Sequence, residues 1–164
     1  MTGYIQTNLM SMTDGHIYFD SDIYYQGKRP AINIFLSVTR VGKQTHPPLL
    51  RSIADHIFRL MNKYADAQRF LRFGPELSEE IKQTLKRGDA LQALFTQIGF
   101  KPMPIALQVL LCSFIWNNQE NETKIKKIIQ QYADDASFKK TVDKWVSSAK
   151  TFEELNMTTK NENY

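Results

Sequence analysis

Apolar residues recur at three- and four-residue steps along most of this chain of 164 residues, starting after the proline pair Pro47-Pro48. This spacing places the apolar side chains on one face of a helix, and proline is favoured in a first helical turn. The segment before the prolines lacks this spacing. The pattern therefore predicts a short β segment followed by a bundle of four or five helices.

Glycine, proline and asparagine residues separate the predicted helices. Ser78 is a predicted N-cap, and Gly88 weakens the second helix because glycine is a poor helix former. The tail after Asn156 is polar, which predicts disorder. The predicted helices begin near Thr45, Ser78 and Pro104, with a fourth carrying Ile125 to Tyr132 and a fifth carrying Phe138 to Val146.

The first 44 residues have β character. The Asp14-Gly15 pair lies between apolar runs, which predicts a hairpin over residues 4–20. Residues 30–38 are apolar and β-branched, which predicts a strand with Pro30 as its first residue. Such a strand normally lies inside a parallel sheet covered by helices, and no covering helices accompany it here. We therefore interpret this segment as the end of a larger α/β domain.

Composition excludes several classes of protein. The chain is 42% hydrophobic, enough for a core, but no apolar run approaches the roughly 18–20 residues that span a bilayer. The start lacks the basic and apolar regions of a signal peptide. The single cysteine, Cys112, excludes an internal disulfide and is expected to be buried. The three histidines lack metal-ligand spacing, so we expect no metal site.

Positive charge concentrates in the middle of the chain. Residues 28–101 carry 13 Lys and Arg against 6 Asp and Glu, whereas the whole chain has a net charge of +4. This segment could contact phosphates, nucleic acid or an acidic protein face, or it could be a solvated helix surface. A nucleic-acid-binding module is an alternative function, but helix-turn-helix spacing and aromatic-basic interleaving are both missing.

Four short motifs carry a family resemblance: YIQTN at 4–8, MTDGHI at 12–17, RPAIN at 29–33 and LSVTRVG at 36–42. In order and spacing they resemble the alpha subunit of F-type ATP synthases. The catalytic beta subunit of that family lacks RPAIN and SRVG, which favours alpha. A weaker resemblance continues through an RG-x-x-L-x-x-L stretch at 87–94. Taken as a whole, the resemblance covers residues 4–110.

The resemblance implies a domain organisation. Residues 1–44 would be the C-terminal remnant of the nucleotide-binding α/β domain, and residues 45–155 the helical C-terminal domain. Residues 156–164 would form a disordered tail. The expected fold class is therefore α+β and mainly α, with a hairpin and a strand followed by a four- to five-helix bundle.

The resemblance also implies site residues. Arg40 matches the arginine finger that reaches the catalytic site of the neighbouring beta subunit, and Ser37 matches a serine that helps to hold this finger. The alternatives are a surface salt bridge for Arg40 and backbone hydrogen bonds for Ser37. Thr39 and Phe35 depart from the family pattern, which has a serine and a small residue at these positions.

Three further residues match the nucleotide site that alpha itself carries. Arg29 and Pro30 match residues that contact the nucleotide, and Gln97 matches a glutamine near the adenine. The position of a second such glutamine is Gly99 here, which weakens the expectation of adenine contact.

The sequence lacks a phosphate-binding loop. The motif G-x-x-x-x-G-K-[ST] needs two glycines five positions apart, and no two of the seven glycines have that spacing. We therefore expect this chain alone to be inactive and to bind no MgATP tightly, with ATP or ADP and Mg in the full assembly.

The expected partners are the beta subunit and the gamma central stalk, without nucleic acid. The expected location is cytoplasmic, on the inner face of the plasma membrane through the complex. The other alternative is a degenerate stand-alone alpha paralogue that acts as a scaffold.

Overall fold

The computed structural model describes residues 4–70, 78–97, 102–117 and 121–161. The chain divides into two compact units. The N-terminal unit comprises Met1–His46 with Phe95–Phe100, and the helical unit comprises Pro47–Leu94 with Lys101–Tyr164. Helices predominate and one small antiparallel pair of strands is present among the described residues, which confirms the predicted α+β, mainly α class.

Short elements make up the N-terminal unit. Strands β1 and β2 pair antiparallel, with Gly15 opposite Thr39. A side chain at Gly15 would place its Cβ 2.8 Å from the carbonyl oxygen of Val38, so the close approach of the strands requires glycine there. The elements are α1 (Tyr4–Met12), β1 (Gly15–His16), α2 (Ser21–Tyr25), β2 (Val38–Thr39) and a 3₁₀ turn (Gly42–Thr45).

Two local predictions for this unit are wrong. The hairpin expected over residues 4–20 is replaced by helix α1, and β1 pairs with β2 instead of with a strand before it. The strand expected over residues 30–38 is interrupted after an isolated bridge at Ile32. The physical reason is Asn33, whose side-chain oxygen accepts from the backbone N–H groups of Phe35 and Leu36 and so closes a turn.

Six helices form the helical unit in the described part of the chain. They confirm the five helices predicted from apolar spacing and add one more at the end. Residues 71–77 and 98–101, which separate the first three predicted helices, lie outside the described residues. The helices are α3 (Pro48–Phe70), α4 (Glu79–Phe95, whose last residue belongs to the N-terminal unit), α5 (Ile105–Trp116), α6 (Glu122–Asp134), α7 (Ala136–Ser148) and α8 (Phe152–Asn161).

Polar side chains define where these helices begin. The Ser78 hydroxyl accepts from the backbone N–H of Ile81, as expected of the predicted cap. Asn121 caps α6 in the same way, and the Asp135 carboxylate accepts from the backbone N–H groups of two residues in the first turn of α7. Each cap satisfies backbone donors that have no partner inside the helix.

Helix α5 lies at the centre of the bundle. It is apolar on all sides, the pattern of a fully surrounded helix, and it packs against α6, α7 and α8. Cys112 is buried as predicted, and this burial raises the pKa of its thiol to about 12. None of the helices in the described ranges is both long and apolar enough to cross a membrane. The buried residues of α5 are Leu107, Val109, Leu110, Leu111, Cys112, Ser113, Phe114 and Ile115.

Helix α8 corrects the predicted disordered tail as far as Asn161. Its side chains Phe152, Leu155 and Thr159 follow one another at three- and four-residue steps and are buried. Thr159 escaped the sequence pattern because it is polar, yet its hydroxyl lies 2.6 Å from the buried hydroxyl of Ser113 on α5. A polar residue with a buried partner can therefore continue an apolar helix face. Residues 162–164 lie outside the described residues.

Gly88 marks a close contact between α3 and α4. A Cβ at this position would lie 2.1 Å from the ring carbon Cδ2 of Tyr64, so the ring packs directly on the glycine backbone. The Tyr64 hydroxyl donates to the carboxylate of Asp89 and accepts from the amide of Gln68. Burial, followed by the Asp89 contact, raises the pKa of Tyr64. The glycine that weakens α4 as a helix former thus permits its packing on α3.

Candidate functional site

Arg40 directly follows strand β2. Its backbone N–H donates to the carbonyl of Asp14 at 2.7 Å, which fixes the main chain at the end of the strand pair. Its side chain is exposed, and Nη2 donates to the carbonyl of Ser11 at 3.2 Å. A guanidinium has five N–H donors, and the bond to the Ser11 carbonyl uses one of them. The surface salt bridge, the alternative interpretation of Arg40, is not formed within the described residues.

Ser37 is engaged in local structure. Its hydroxyl donates to the carbonyl of Asn33 at 2.7 Å and accepts from the backbone N–H of Tyr18 at 3.0 Å. Both bonds are to backbone groups, as the alternative role of Ser37 predicts. They hold the turn that precedes β2 and therefore position the main chain that leads to Arg40. The role of Ser37 beside a catalytic site stays a prediction.

Asn33, within the RPAIN motif, organises this region, and the sequence interpretation missed it. Beyond closing the turn at residues 34–36, its amide donates to the carboxylate of Asp20 at 2.9 Å. Asp20 also caps α2 by accepting from the backbone N–H of Asp22. The bond from Asn33, followed by that from Asp22, lowers the pKa of Asp20. A polar amide inside an apolar run was the available signal, because such a residue needs partners.

Arg29 and Gln97 meet in the N-terminal unit although they are far apart in sequence. The backbone N–H of Gln97 donates to the carbonyl of Arg29 at 2.7 Å. The guanidinium of Arg29 lies 3.6 Å above the ring centroid of Tyr24 and donates to the Tyr24 carbonyl at 2.7 Å. Pro30 and the Gln97 side chain are exposed. The structure therefore brings together the three residues expected at a nucleotide, but it links them through the main chain.

The helical unit contains a polar cleft that the sequence interpretation also missed. It has a volume of about 270 Å³ and lies between α3 and α4, with Trp116 of α5 at one wall. Three permanent cations line it, Arg59 and Lys63 from α3 and Arg87 from α4. The excess of positive charge in residues 28–101 was the available signal, but it does not show which cations converge.

His56 lies at one edge of this cleft and connects α3 to α8. Its Nε2 is 2.9 Å from the carboxylate of Glu153, and its Nδ1 is 2.8 Å from the carbonyl of Ser52. Its ring packs against Trp116 and Phe152 with centroids 5.5 and 5.4 Å away. Both ring nitrogens therefore have protein partners. The described ranges contain no cluster of three His, Cys, Asp or Glu side chains suited to a metal ion.

Comparison with known proteins gives consistent matches. A family model described as the ATP synthase alpha/beta chain, C terminal domain, matches residues 47–162. The mitochondrial ATP synthase subunit alpha of Neurospora crassa is 36% identical over 141 residues, which are 86% of this chain and 26% of that protein. The ATP synthase subunits alpha of Clostridium acetobutylicum and Clostridium kluyveri are 31% and 33% identical over 128 residues, 78% of this chain and 25% of each. The chain thus spans about a quarter of the length of the curated relatives it matches.

Proposed function

Because the chain belongs to the family of C-terminal domains of the ATP synthase alpha and beta subunits and corresponds to the C-terminal part of an alpha subunit, we propose that it works within a rotary F-type ATP synthase. In this proposal Arg40 supplies an arginine finger to the catalytic site of a neighbouring beta subunit. The helical unit lies near the gamma stalk, and the protein reaches the inner face of the plasma membrane only through the complex. The assembly couples ATP synthesis or hydrolysis to proton or sodium transport.

The position of Arg40 supports this role. The residue lies at the end of a hydrogen-bonded strand pair, so its main chain is anchored while its side chain is exposed. Its side-chain tether, a 3.2 Å bond to the Ser11 carbonyl, can be exchanged at low cost for a stronger charge-assisted bond to phosphate. An anchored backbone with an available guanidinium is what a finger acting on a second subunit needs.

The chemistry of phosphoryl transfer explains the choice of arginine. Negative charge spreads over the oxygens of the γ-phosphoryl group in the transition state, and a planar guanidinium can meet two of them at once. An arginine supplied from a neighbouring protein contributes about 10³–10⁵ in rate in related phosphoryl transfers. A lysine would bring the same charge without the planar pair of donors.

The residues expected at alpha's own nucleotide fit only the edge of such a site. The Arg29 guanidinium is engaged with the ring and carbonyl of Tyr24, while Pro30 and the Gln97 side chain are exposed. The sequence provides no glycine-rich phosphate loop. Nucleotide binding with Mg at this site is therefore a proposal about a complete alpha subunit, and we derive no chemical step from it.

The test replaces Arg40 in a complete alpha subunit whose C-terminal part is this chain, co-expressed with beta and gamma. We expect Arg40→Ala to lower steady-state ATP hydrolysis by about 10³-fold or more, because the transition-state charge loses its partner. Arg40→Lys should recover little of this loss. The matched control is Arg69→Ala, which removes an exposed arginine that pairs with Asp66 one helical turn away.

The outcome separates the candidate functions. The finger assignment requires that the three subunits still assemble, shown by co-purification, while turnover falls for Arg40→Ala and not for Arg69→Ala. If Arg40→Ala assembles and retains turnover near that of the unchanged protein, the assignment is wrong. That result would favour the alternative of a scaffolding paralogue.

A further inference from the structure

The cleft between α3 and α4 has an unusual concentration of positive charge. Arg59 and Lys63 are four residues apart on α3 and therefore neighbours on one helix face, an arrangement in which like charges repel. Arg87 approaches from α4, with its guanidinium carbon 5.7 Å from the ring centroid of Trp116. The one carboxylate in the lining is that of Glu80. The lining thus carries three permanent positive charges against one negative charge.

Arg59 and Lys63 have N–H donors that no hydrogen bond within the described residues uses. Arg59 donates through Nε to the carbonyl of Asp55 at 3.2 Å, which leaves the outer nitrogens of its guanidinium for another acceptor. Lys63 forms no hydrogen bond or ion pair within the described residues. The amide of Gln83, on α4, adds a neutral donor to the lining. Such a cluster of donors is complementary to an anion with several acceptor oxygens.

From this cluster we propose that the α3–α4 cleft binds a small phosphate-bearing anion. Arg59, Lys63 and Arg87 contact the phosphoryl oxygens, and a compact organic part lies against Trp116. A phosphate monoester carries about −1.5 to −2 charges near neutral pH, which matches the excess of two positive charges in the lining. A carboxylate carries one charge on two oxygens and therefore offers fewer acceptors to this cluster of donors.

The size of the cleft limits the ligand. A water molecule takes about 30 Å³ of liquid volume, so a cleft of about 270 Å³ holds a phosphate group and a few further atoms. Pockets for drug-sized ligands begin at roughly 300 Å³. The proposed ligand is therefore a small phosphate monoester, and the cleft shares no residue with the candidate site around Arg40.

The test follows the indole N–H resonances of the full chain by ¹H–¹⁵N NMR in phosphate-free buffer. Phenyl phosphate and inorganic phosphate are the probes, and hexaglutamate is the comparison for an acidic peptide. We expect a saturable shift of the Trp116 resonance with both phosphates, larger and tighter with phenyl phosphate. Trp145 does not line the cleft, so its resonance, assigned with a Trp145→Phe variant, is the internal reference.

Two variants make the assignment specific. Arg59→Gln with Lys63→Gln should weaken the binding of phenyl phosphate by about tenfold or more, because two charge-assisted bonds are lost. Glu80→Gln should change affinity in the opposite direction, since it removes the one negative charge of the lining. The control pair, Arg69→Gln with Lys140→Gln, makes the same change in net charge on exposed positions outside the cleft and should leave affinity unchanged.

Defined results would overturn the proposal. It is wrong if neither phosphate gives a saturable shift at millimolar concentration, if the control pair weakens binding as much as the cleft pair, or if hexaglutamate binds more tightly than both phosphates. If the double variant unfolds, as judged by circular dichroism, Lys63→Gln alone replaces it, because this exposed lysine forms no hydrogen bond or ion pair within the described residues. The proposal then requires weaker binding by Lys63→Gln and tighter binding by Glu80→Gln.

Discussion

The two units of this protein are stabilised in different ways. In the N-terminal unit, Ala31 is the one buried apolar side chain among the described residues, whereas the helical unit buries apolar side chains from all six of its helices. Hydrogen bonds donated by the side chains of Asn33 and Ser37, and accepted by the Asp20 carboxylate, organise the N-terminal unit. Since apolar burial is the dominant favourable term in folding, the helical unit should tolerate core substitutions poorly. The N-terminal unit should respond instead to changes in its polar groups.

The two units also differ in how many large apolar side chains they expose. Most of the large apolar side chains that are exposed in the described residues belong to the N-terminal unit, including Ile17, Phe19, Tyr25 and Phe35. Phe114 and Phe152 are buried in the core of the helical unit, whereas Phe19 and Phe35 of the N-terminal unit are exposed.

The largest expected difference comes from two phenylalanine truncations. Phe152 is 1% exposed in the core beside α3 and α5, and Phe152→Ala should lower the free energy of unfolding by about 3–5 kcal/mol. Phe19 is 69% exposed, and Phe19→Ala should change it by no more than about 0.5 kcal/mol. Urea unfolding of the full chain, followed by circular dichroism, measures both. Equal shifts of the midpoint would contradict the contrast between the units.

A glycine substitution tests the close packing of the helical unit. In Gly88→Ala the new Cβ meets the Tyr64 ring; overpacking costs about 1–3 kcal/mol, against a gain of about 1 kcal/mol in helix propensity. We therefore expect the unfolding free energy to fall by up to about 2 kcal/mol.

A double-mutant cycle with Tyr64→Ala provides the control. Without the ring, Gly88→Ala should become neutral or stabilising, because only the propensity gain remains. If Gly88→Ala destabilises by the same amount with and without Tyr64, the clash is not the cause.

The smallest expected effect is a difference in pH dependence. The pKa of Asp20 is lowered in the folded protein, so its contribution is present above its ordinary value of 3.8 and is lost as pH falls through the folded value. The pKa of Tyr64 is raised, so its contribution is present below its ordinary value of 10.0 and is lost as pH rises above it. Acid should therefore loosen the N-terminal unit around Asn33, and alkali should loosen the packing of α3 on α4.

Amide shifts measured by NMR across pH can check this expectation. The side-chain amide of Asn33, which donates to the Asp20 carboxylate, should shift in the acid range, and the residues around Gly88 should change in the alkaline range. Asp20→Asn retains a capping oxygen but has no carboxylate, so it should abolish the acid-range shift of the Asn33 amide. Persistence of that shift in Asp20→Asn would show that another group is responsible.

The helical unit was predictable because its signals are local. Apolar spacing predicted α3 to α7, and Ser78 predicted the start of α4. Helix α8 was missed because one position of its buried face is Thr159, whose burial depends on a hydroxyl 46 residues earlier in the sequence. The strand prediction over residues 30–38 was wrong because the side chain of Asn33 accepts hydrogen bonds from the following backbone N–H groups. These bonds form a turn in place of strand pairing.

The sites were predictable only in part. The motif resemblance pointed to Arg40, whose role stays a prediction, and it grouped Arg29, Pro30 and Gln97, which the structure brings together. It could not indicate that the link between Arg29 and Gln97 is a main-chain hydrogen bond. The cationic cleft was not predictable because Arg59 and Arg87 lie on different helices. Their approach depends on how closely α4 packs on α3, which Gly88 permits.

The hydroxyl pair of Ser113 and Thr159 has a consequence for how α8 docks. A purely apolar seam would tolerate sliding of α8 by one helical turn, about 5.4 Å, because one apolar contact can replace another. Sliding here would separate the two hydroxyls and leave Ser113, which is fully buried, without its partners on α8. An unsatisfied buried hydroxyl costs about 1–3 kcal/mol. The pair therefore selects a single axial position for the helix, so that α8 is either seated in one place or detached.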